Sequence, residues 1–215
     1  MERSQYHAAR DRVLWHVVAC KTNERFSPRT AWWFDNRRRA PAGMVIFQVI
    51  ESGRCVLRGA AGDSEVSAGQ AFLFAYGEAT SYGRPPDRPD WPGWSDDLRT
   101  AHISLGGAGL LEHWDVLRAR FGPIVQLGGT PRILALLRDI ERRCDRDPRA
   151  DRRAVSPAVH GFVMTLFDEI EAAATLGLAP VERAVDDLLR TPLSGDPLKE
   201  IARRHGCTRE HLTRV

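Results

Sequence analysis

Five polar side chains near the C-terminus, Thr208, Arg209, His211, Thr213 and Arg214, have the types and spacing to hydrogen-bond a DNA groove. Arginine, histidine and threonine can each meet base edges or phosphates when a helix presents them on one face. The helix that would do so follows from LKEIARRHGCTREHLTRV, Leu198 to Val215. Leu198, Ile201, Ala202 and His205 recur at helical spacing. Gly206 stops that helix, because glycine takes a left-handed turn at little steric cost. Thr208 then offers an N-cap with Glu210 close behind, and Leu212 and Val215 give a second helix its inward face. The pattern reads as a helix-turn-helix cut off inside its second helix, about a turn early. Spacing alone leaves two readings open, a DNA-binding hairpin and a helical pair that merely packs. The segment before it, VERAVDDLLRTPLSGDP (181–197), is an amphipathic helix ended by Pro192 and Gly195, an arrangement that favours DNA binding.

A second set could line a small-molecule pocket: Trp33, Arg38, Tyr82, Trp91, Trp94 and His102. A pocket needs apolar walls and a few fixed polar groups. Sugars in particular offer C–H faces to rings and hydroxyls to charged or amide groups. Each residue has a plainer role too, which is core packing for Trp33 and a solvated loop for the run Arg37–Arg39. Tyr82 and Trp91 stand out because loop aromatics have fewer structural reasons to exist. Metal and nucleophile chemistry find little support. His7, His16 and His102 fall on β segments without grouping, and no G-x-S-x-G or H-E-x-x-H pattern occurs. Cys20, Cys55, Cys144 and Cys207 are too far apart for metal-ligand spacing and are expected as reduced packing residues. No catalytic residue, metal or cofactor is assigned.

The elements that must position these groups fall into two regimes. Residues 1 to about 106 are β-rich, with strands expected at 14–20, 31–35, 44–50, 54–59, 65–69, 70–76, 80–83 and 98–105. Short strands separated by glycine turns suit a small barrel or a sandwich. RPPDRPDWPGWSDD (84–97) is too proline-rich for a regular element. Helices are expected at 109–121, 131–144 and roughly 151–176. The third carries an apolar stripe that includes Val159, Phe162, Val163, Leu166, Phe167 and Ile170. That stripe could pack on the β domain or face the same helix of a second copy in a twofold dimer, the reading favoured here; helix 131–144 is the other candidate interface.

Composition sets outer bounds. The chain has 215 residues, 43% hydrophobic and 27% charged, with net charge +3, which is enough for one large domain or for one domain plus a fragment. Lys21 and Lys199 are the only lysines. No run is long and apolar enough to span a membrane and the N-terminal segment shows no secretory pattern, so a cytoplasmic location is expected.

This order of parts resembles the AraC family of bacterial regulators, whose founding type responds to arabinose. The most specific stretch is GRCVLRGAAGDSEVSAGQAFLFAYGEATSYGRPPDRPDW, 53–91. Gly69–Gly77 occupies the family's glycine-led hairpin, with Gln70 in place of an acidic residue and Ala75 in place of proline. Tyr82-Gly83-Arg84 and Trp91 fit the loop that follows, and the resemblance runs from about residue 30 to the end. It implies an α+β chain: a cupin-like effector-binding barrel over 1–107, dimerisation helices over 108–177 and a truncated helix-turn-helix over 178–215. Arg38 lies near the family's ligand-contacting arginine, Tyr82 matches a sugar-contacting aromatic, and His102 stands where a tryptophan is found. The implied partners are a small-molecule effector (a sugar among the candidates), a second copy of the chain, and DNA for the whole regulator, with little affinity from this fragment. The alternative is a metal-dependent cupin isomerase or dioxygenase with a helical tail, although Thr80 stands where a metal-binding histidine would.

Overall fold

A computed structural model describes residues 14–127, 130–146, 152–176, 180–190 and 197–213. The chain divides into one compact unit up to Ile170 and another from Glu171. In the first unit the described residues form nine strands: β1 (His16–Phe26), β2 (Trp33–Asp35), β3 (Val45–Ser52), β4 (Arg54–Gly59), β5 (Gly62–Ser67), β6 (Gln70–Ala75), β7 (Ser81–Gly83), β8 (Leu98–Gly106) and β9 (Ile124–Gln126). Helices α1 (Leu110–Phe121), α2 (Thr130–Arg146) and α3 (Arg152–Leu176) accompany them.

The strands make two antiparallel sheets, one of five in the order β1-β8-β3-β6-β9 and one of four in the order β2-β7-β4-β5. The barrel that the family resemblance implied is therefore not closed. Alternation along a strand says which residues face inward but not which strands pair, so spacing alone could not decide between barrel and sandwich.

The larger sheet is the middle layer. On β3, Val45, Phe47 and Val49 join a core with Ala101, Ile103 and Leu105 of β8, and with Trp114, Leu137, Phe162 and Leu166 of the three helices. Ile46 and Ile50, which point the other way, join Phe72 and Phe74 of β6 in a second core against Cys55 and Leu57 of β4 and Tyr82 of β7. A strand buried on both faces reads as a continuous apolar run, as MVIFQVI does. The stripe expected at a dimer interface is spent here: Val159, Phe162, Val163, Leu166 and Ile170 are fully buried in the chain's own core, with Phe167 packed against it. Nothing of those five side chains is left for a second copy to cover.

Gly83 shows why β7 and β2 can meet. Its φ is +130°, and a Cβ there would lie 2.0 Å from the Trp32 carbonyl oxygen. Only glycine tolerates both conditions.

In the second unit, α4 (Pro180–Arg190), α5 (Leu198–Arg204) and α6 (Arg209–Leu212) share a small core of Ala184, Ile201, Ala202 and Leu212. α5 ends as the sequence led one to expect. Gly206 has φ +71°. Its N–H donates to the Arg203 carbonyl and that of Cys207 to the Ala202 carbonyl, the two bonds of a Schellman cap. Cys207 packs against the Ala202 cluster, which is the apolar contact such a cap usually carries. Pro192, Gly195, Arg214, Val215 and His7 lie outside the described residues.

Candidate ligand-binding site

Between the two sheets lies a cavity of about 280 Å³, lined by Glu24 and Phe26 of β1, Trp32, Phe34, Arg39, Gln48 of β3, Tyr82 of β7 and His102 of β8. Register explains the convergence. Gln48 is paired with His102 on one side and with Phe72 on the other, so all three project into the same inter-sheet space. On the opposite sheet Tyr82 pairs with Phe34 and with Leu57.

The polar groups form two sets. On one wall, His102 Nδ1 and Glu24 Oε2 are 2.7 Å apart, and Thr100 Oγ1 donates to the same carboxylate oxygen at 3.5 Å. On the other, an Arg39 Nη2–H donates to the Tyr82 hydroxyl at 2.8 Å. The Arg39 guanidinium lies 4.9 Å from the Phe34 ring centre, 5.3 Å from that of Tyr76 and 5.6 Å from that of Tyr82, a cation held over three ring faces. Gln48 is 2% exposed, and its amide nitrogen has no hydrogen-bond partner among the described residues. An orphaned buried donor costs free energy unless something else satisfies it.

Tyr82 is 3% exposed and touches four rings, with centroid distances of 5.4 Å to Phe34, 5.6 Å to Trp32, 5.0 Å to Phe72 and 4.9 Å to Phe74. Burial raises its hydroxyl above the ordinary tyrosine value, and the Arg39 charge opposes that shift without cancelling it. The group keeps its proton at neutral pH, so it can donate while accepting from Arg39.

Of the six residues expected to line a pocket, Tyr82 and His102 meet here. Trp33 sits on the other side of its strand, where Arg58 lies 5.0 Å from its ring centre. The Arg38 side chain is 87% exposed and approaches Asp35, while its neighbour Arg39 enters the cavity. Trp91 and Trp94 line a separate surface groove with Arg29, Pro86, Pro89 and Pro92. Trp91 donates to Glu65 at 3.3 Å, and Trp94 donates to the Arg88 carbonyl at 2.9 Å.

Sequence reading missed Glu24, Gln48 and Arg39. Glu24 lies in KTNERF, a polar stretch without apolar alternation. Gln48 interrupts an apolar run, and that interruption was the one available signal. Cys20 and Cys55 are buried, and burial pushes both thiols up, that of Cys20 to about 12, so they are protonated packing residues. No group of three or more His, Cys, Asp or Glu among the described residues could hold a metal ion.

In the second unit, Thr208, Arg209 and Thr213 are exposed around α6. His211 belongs to the same helix, but its side chain lies outside the described set, as does Arg214.

No family model and no curated protein matches the chain. Solved structures do. The AraC-like transcriptional activator CuxR matches at 17% identity over 84% of this chain, with TM-score 0.34. ToxT from Vibrio cholerae matches at 11% identity over 94% of this chain, with TM-score 0.39. A second ToxT structure, bound to (E)-4-(8-methylnaphthalen-1-yl)but-3-enoic acid, matches at 12% identity over 91% of this chain, with TM-score 0.36. The chain spans 64% of the length of CuxR and 74% of that of ToxT. No helix among the described residues is long and apolar enough to cross a membrane.

Proposed function

We propose that this chain is the effector-sensing part of an AraC-type transcription regulator, with the start of its DNA-binding unit at the C-terminus. The observation that carries the reading is the inter-sheet cavity, where a buried Gln48 amide nitrogen without a partner among the described residues stands among convergent polar groups and aromatic walls. A packing core has no use for such a group, whereas a ligand site does. The Schellman-capped α5, with the exposed Thr208, Arg209 and Thr213 beyond it, supports the start of a helix-turn-helix. The effector is a small molecule, and sugars belong in the first screen. Regulation follows if the effector binds two arrangements of the regulator with different affinity. The working form is a homodimer, since paired DNA half-sites call for two copies.

A thermal-shift screen tests the sensing role. A ligand at a hundred times its Kd adds about 2.7 kcal/mol to the folded state. At least one sugar or small metabolite should raise the melting temperature of the chain, and His102→Ala should reduce that rise. A rise that persists in full in both His102→Ala and Tyr82→Phe would place the ligand elsewhere and end the claim for this cavity.

A further inference from the structure

Three neighbouring strands set a row of polar side chains at the end of β1, the end of β3 and the start of β8. Arg25 of β1 is in register with Arg99 of β8, and Arg99 with Ser52 of β3. Residues paired directly across antiparallel strands share a face, with Cβ atoms about 5 Å apart. Two like charges therefore stand side by side, an arrangement that destabilises a sheet. The other sheet shows the favourable alternative, where Arg58 is in register with Asp63 and donates to its carboxylate at 2.6 and 3.0 Å. Arg25 gives its Nε–H to the Asn23 amide oxygen at 3.3 Å, and Arg99 gives its own to the Ser52 hydroxyl at 3.2 Å. Neither guanidinium forms an ion pair among the described residues, not even with Asp97 or Glu51 nearby in the chain, so both Nη pairs remain to be met. The row borders a cleft of about 420 Å³ that Phe26, Ser27 and Asp97 also line. Its frame is fixed. The Ser52 hydroxyl donates to the Asp97 carbonyl at 3.3 Å, and a Cβ at Gly53 would lie 2.8 Å from that same oxygen. The buried Arg84 guanidinium donates to the carbonyls of Phe26 and Ser27 on one side and of Asp96 on the other.

We propose that this cleft binds the phosphate group of a small phosphorylated molecule, held between Arg25 and Arg99 with the Ser27 hydroxyl beside them. A phosphate dianion offers oxygens to both guanidinium forks at once and offsets the repulsion between them. A carboxylate brings one charge to a site that holds two. Asp97 stands on the rim as an exposed carboxylate and opposes the anion. The site is separate from the inter-sheet cavity, with which it shares Phe26, and it does not rest on the sensing role of that cavity.

Calorimetric titration with phenyl phosphate and inorganic phosphate, set against phenol and benzoate, tests the site. Both phosphates should bind, benzoate should bind about 10-fold more weakly than phenyl phosphate, and phenol should not bind. Arg25→Gln should weaken phenyl phosphate by about 10-fold or more, the loss expected for a charge-assisted hydrogen bond. Arg25 is exposed and its removal relieves a like-charge pair, so the ligand-free variant should melt no lower than wild type. Asp97→Asn should tighten phenyl phosphate, because it removes the opposing charge on the rim. Arg138→Gln, which removes an exposed arginine of α2, and His102→Ala in the inter-sheet cavity should leave phosphate binding as it is. Absence of phosphate binding, an affinity unchanged in Arg25→Gln, or an equal loss in Arg138→Gln overturns the site. Benzoate bound as tightly as phenyl phosphate overturns the phosphate class. Inorganic phosphate bound while phenyl phosphate is refused makes the free ion the ligand and overturns the phosphorylated molecule.

Discussion

Arg84 is the largest charged side chain fully withdrawn from solvent, at 0% exposure, and it meets main chain instead of a carboxylate. Its guanidinium donates to the carbonyls of Ser27 at 2.6 Å, Thr30 at 3.2 Å, Phe26 at 3.3 Å and Asp96 at 2.5 Å. One side chain thus ties the segment after β1 to the tryptophan loop before β8, and through them it fixes the Phe26 and Trp32 wall of the cavity. Arg84→Ala leaves those carbonyls without donors and should cost about 3 kcal/mol or more. At roughly 2–4 °C per kcal/mol for a domain of this size, calorimetry should record a clear fall in melting temperature; an unchanged melt would show that water replaces the guanidinium freely. Tyr82 calls for a gentler change. Tyr82→Ala would remove a ring that touches four others and so test packing, while Tyr82→Phe keeps the ring and deletes only the hydroxyl that Arg39 meets. The sequence placed the arginine run and Tyr82 near a ligand but could not supply the phase of the turn at Asn36–Arg38. That turn sends Arg38 outward and Arg39 in, a one-residue difference that only backbone geometry fixes.

Elements with strong periodicity were legible: β4 and the three long helices fall within a few residues of their expected bounds. Two were not. β1 continues through Lys21–Phe26 as a polar edge strand with an irregular register between Lys21 and Glu24, and β9 is three residues long between a helix and two glycines. Neither carries an apolar signal, yet the first supplies Glu24 to the cavity. The end of α5, by contrast, was readable because its glycine cap is local chemistry. Gly206→Ala there meets open space, so its cost is conformational only, about 1–2 kcal/mol. Tertiary contacts add what the sequence hid. Asp187 of α4 accepts from His205 at 2.9 Å and from Arg204 at 3.2 Å, which ties α4 to the end of α5. The hydrogen bond from His205, followed by the charges of His205 and Arg204, holds the Asp187 carboxyl below the usual carboxylate value. A depressed carboxyl pKa contributes stability that is full above the unfolded value near 4 and disappears as pH falls through the folded one. Amide exchange over 180–213, corrected for intrinsic rates, should therefore be slower in wild type than in Asp187→Asn at pH 6, and the two should converge below about pH 4. A difference that persists undiminished at lower pH would show that the carboxylate charge is not what joins the helices.

At the scale of the molecule, the proposed dimer cannot use the apolar stripe of α3, because that stripe is already buried. The sheet takes Val159, Phe162, Val163, Leu166 and Ile170. The opposite face of the same helix carries Pro157, Gly161, Met164 and Asp168 at spacings of four, three and four, all exposed, with Met164 at 47%. A Cβ at Gly161 would meet nothing within 4 Å, so a second helix has room to approach closely. A twofold contact uses the same patch on both partners; in the proposed dimer that patch would centre on Gly161 and Met164. The two faces of α3 then predict opposite behaviour. Leu166→Ala removes core volume and should cost about 2–5 kcal/mol in a melt at any protein concentration, with no change of mass while the chain stays folded. Met164→Arg should leave the melt at low concentration unchanged and shift sedimentation equilibrium from dimer toward monomer, since two like charges would face each other across the axis. A dimer that survives Met164→Arg, or one that Leu166→Ala dissociates without unfolding, would move the interface away from the outer face of α3; a wild-type chain monomeric at all concentrations would leave pairing to segments other than this face.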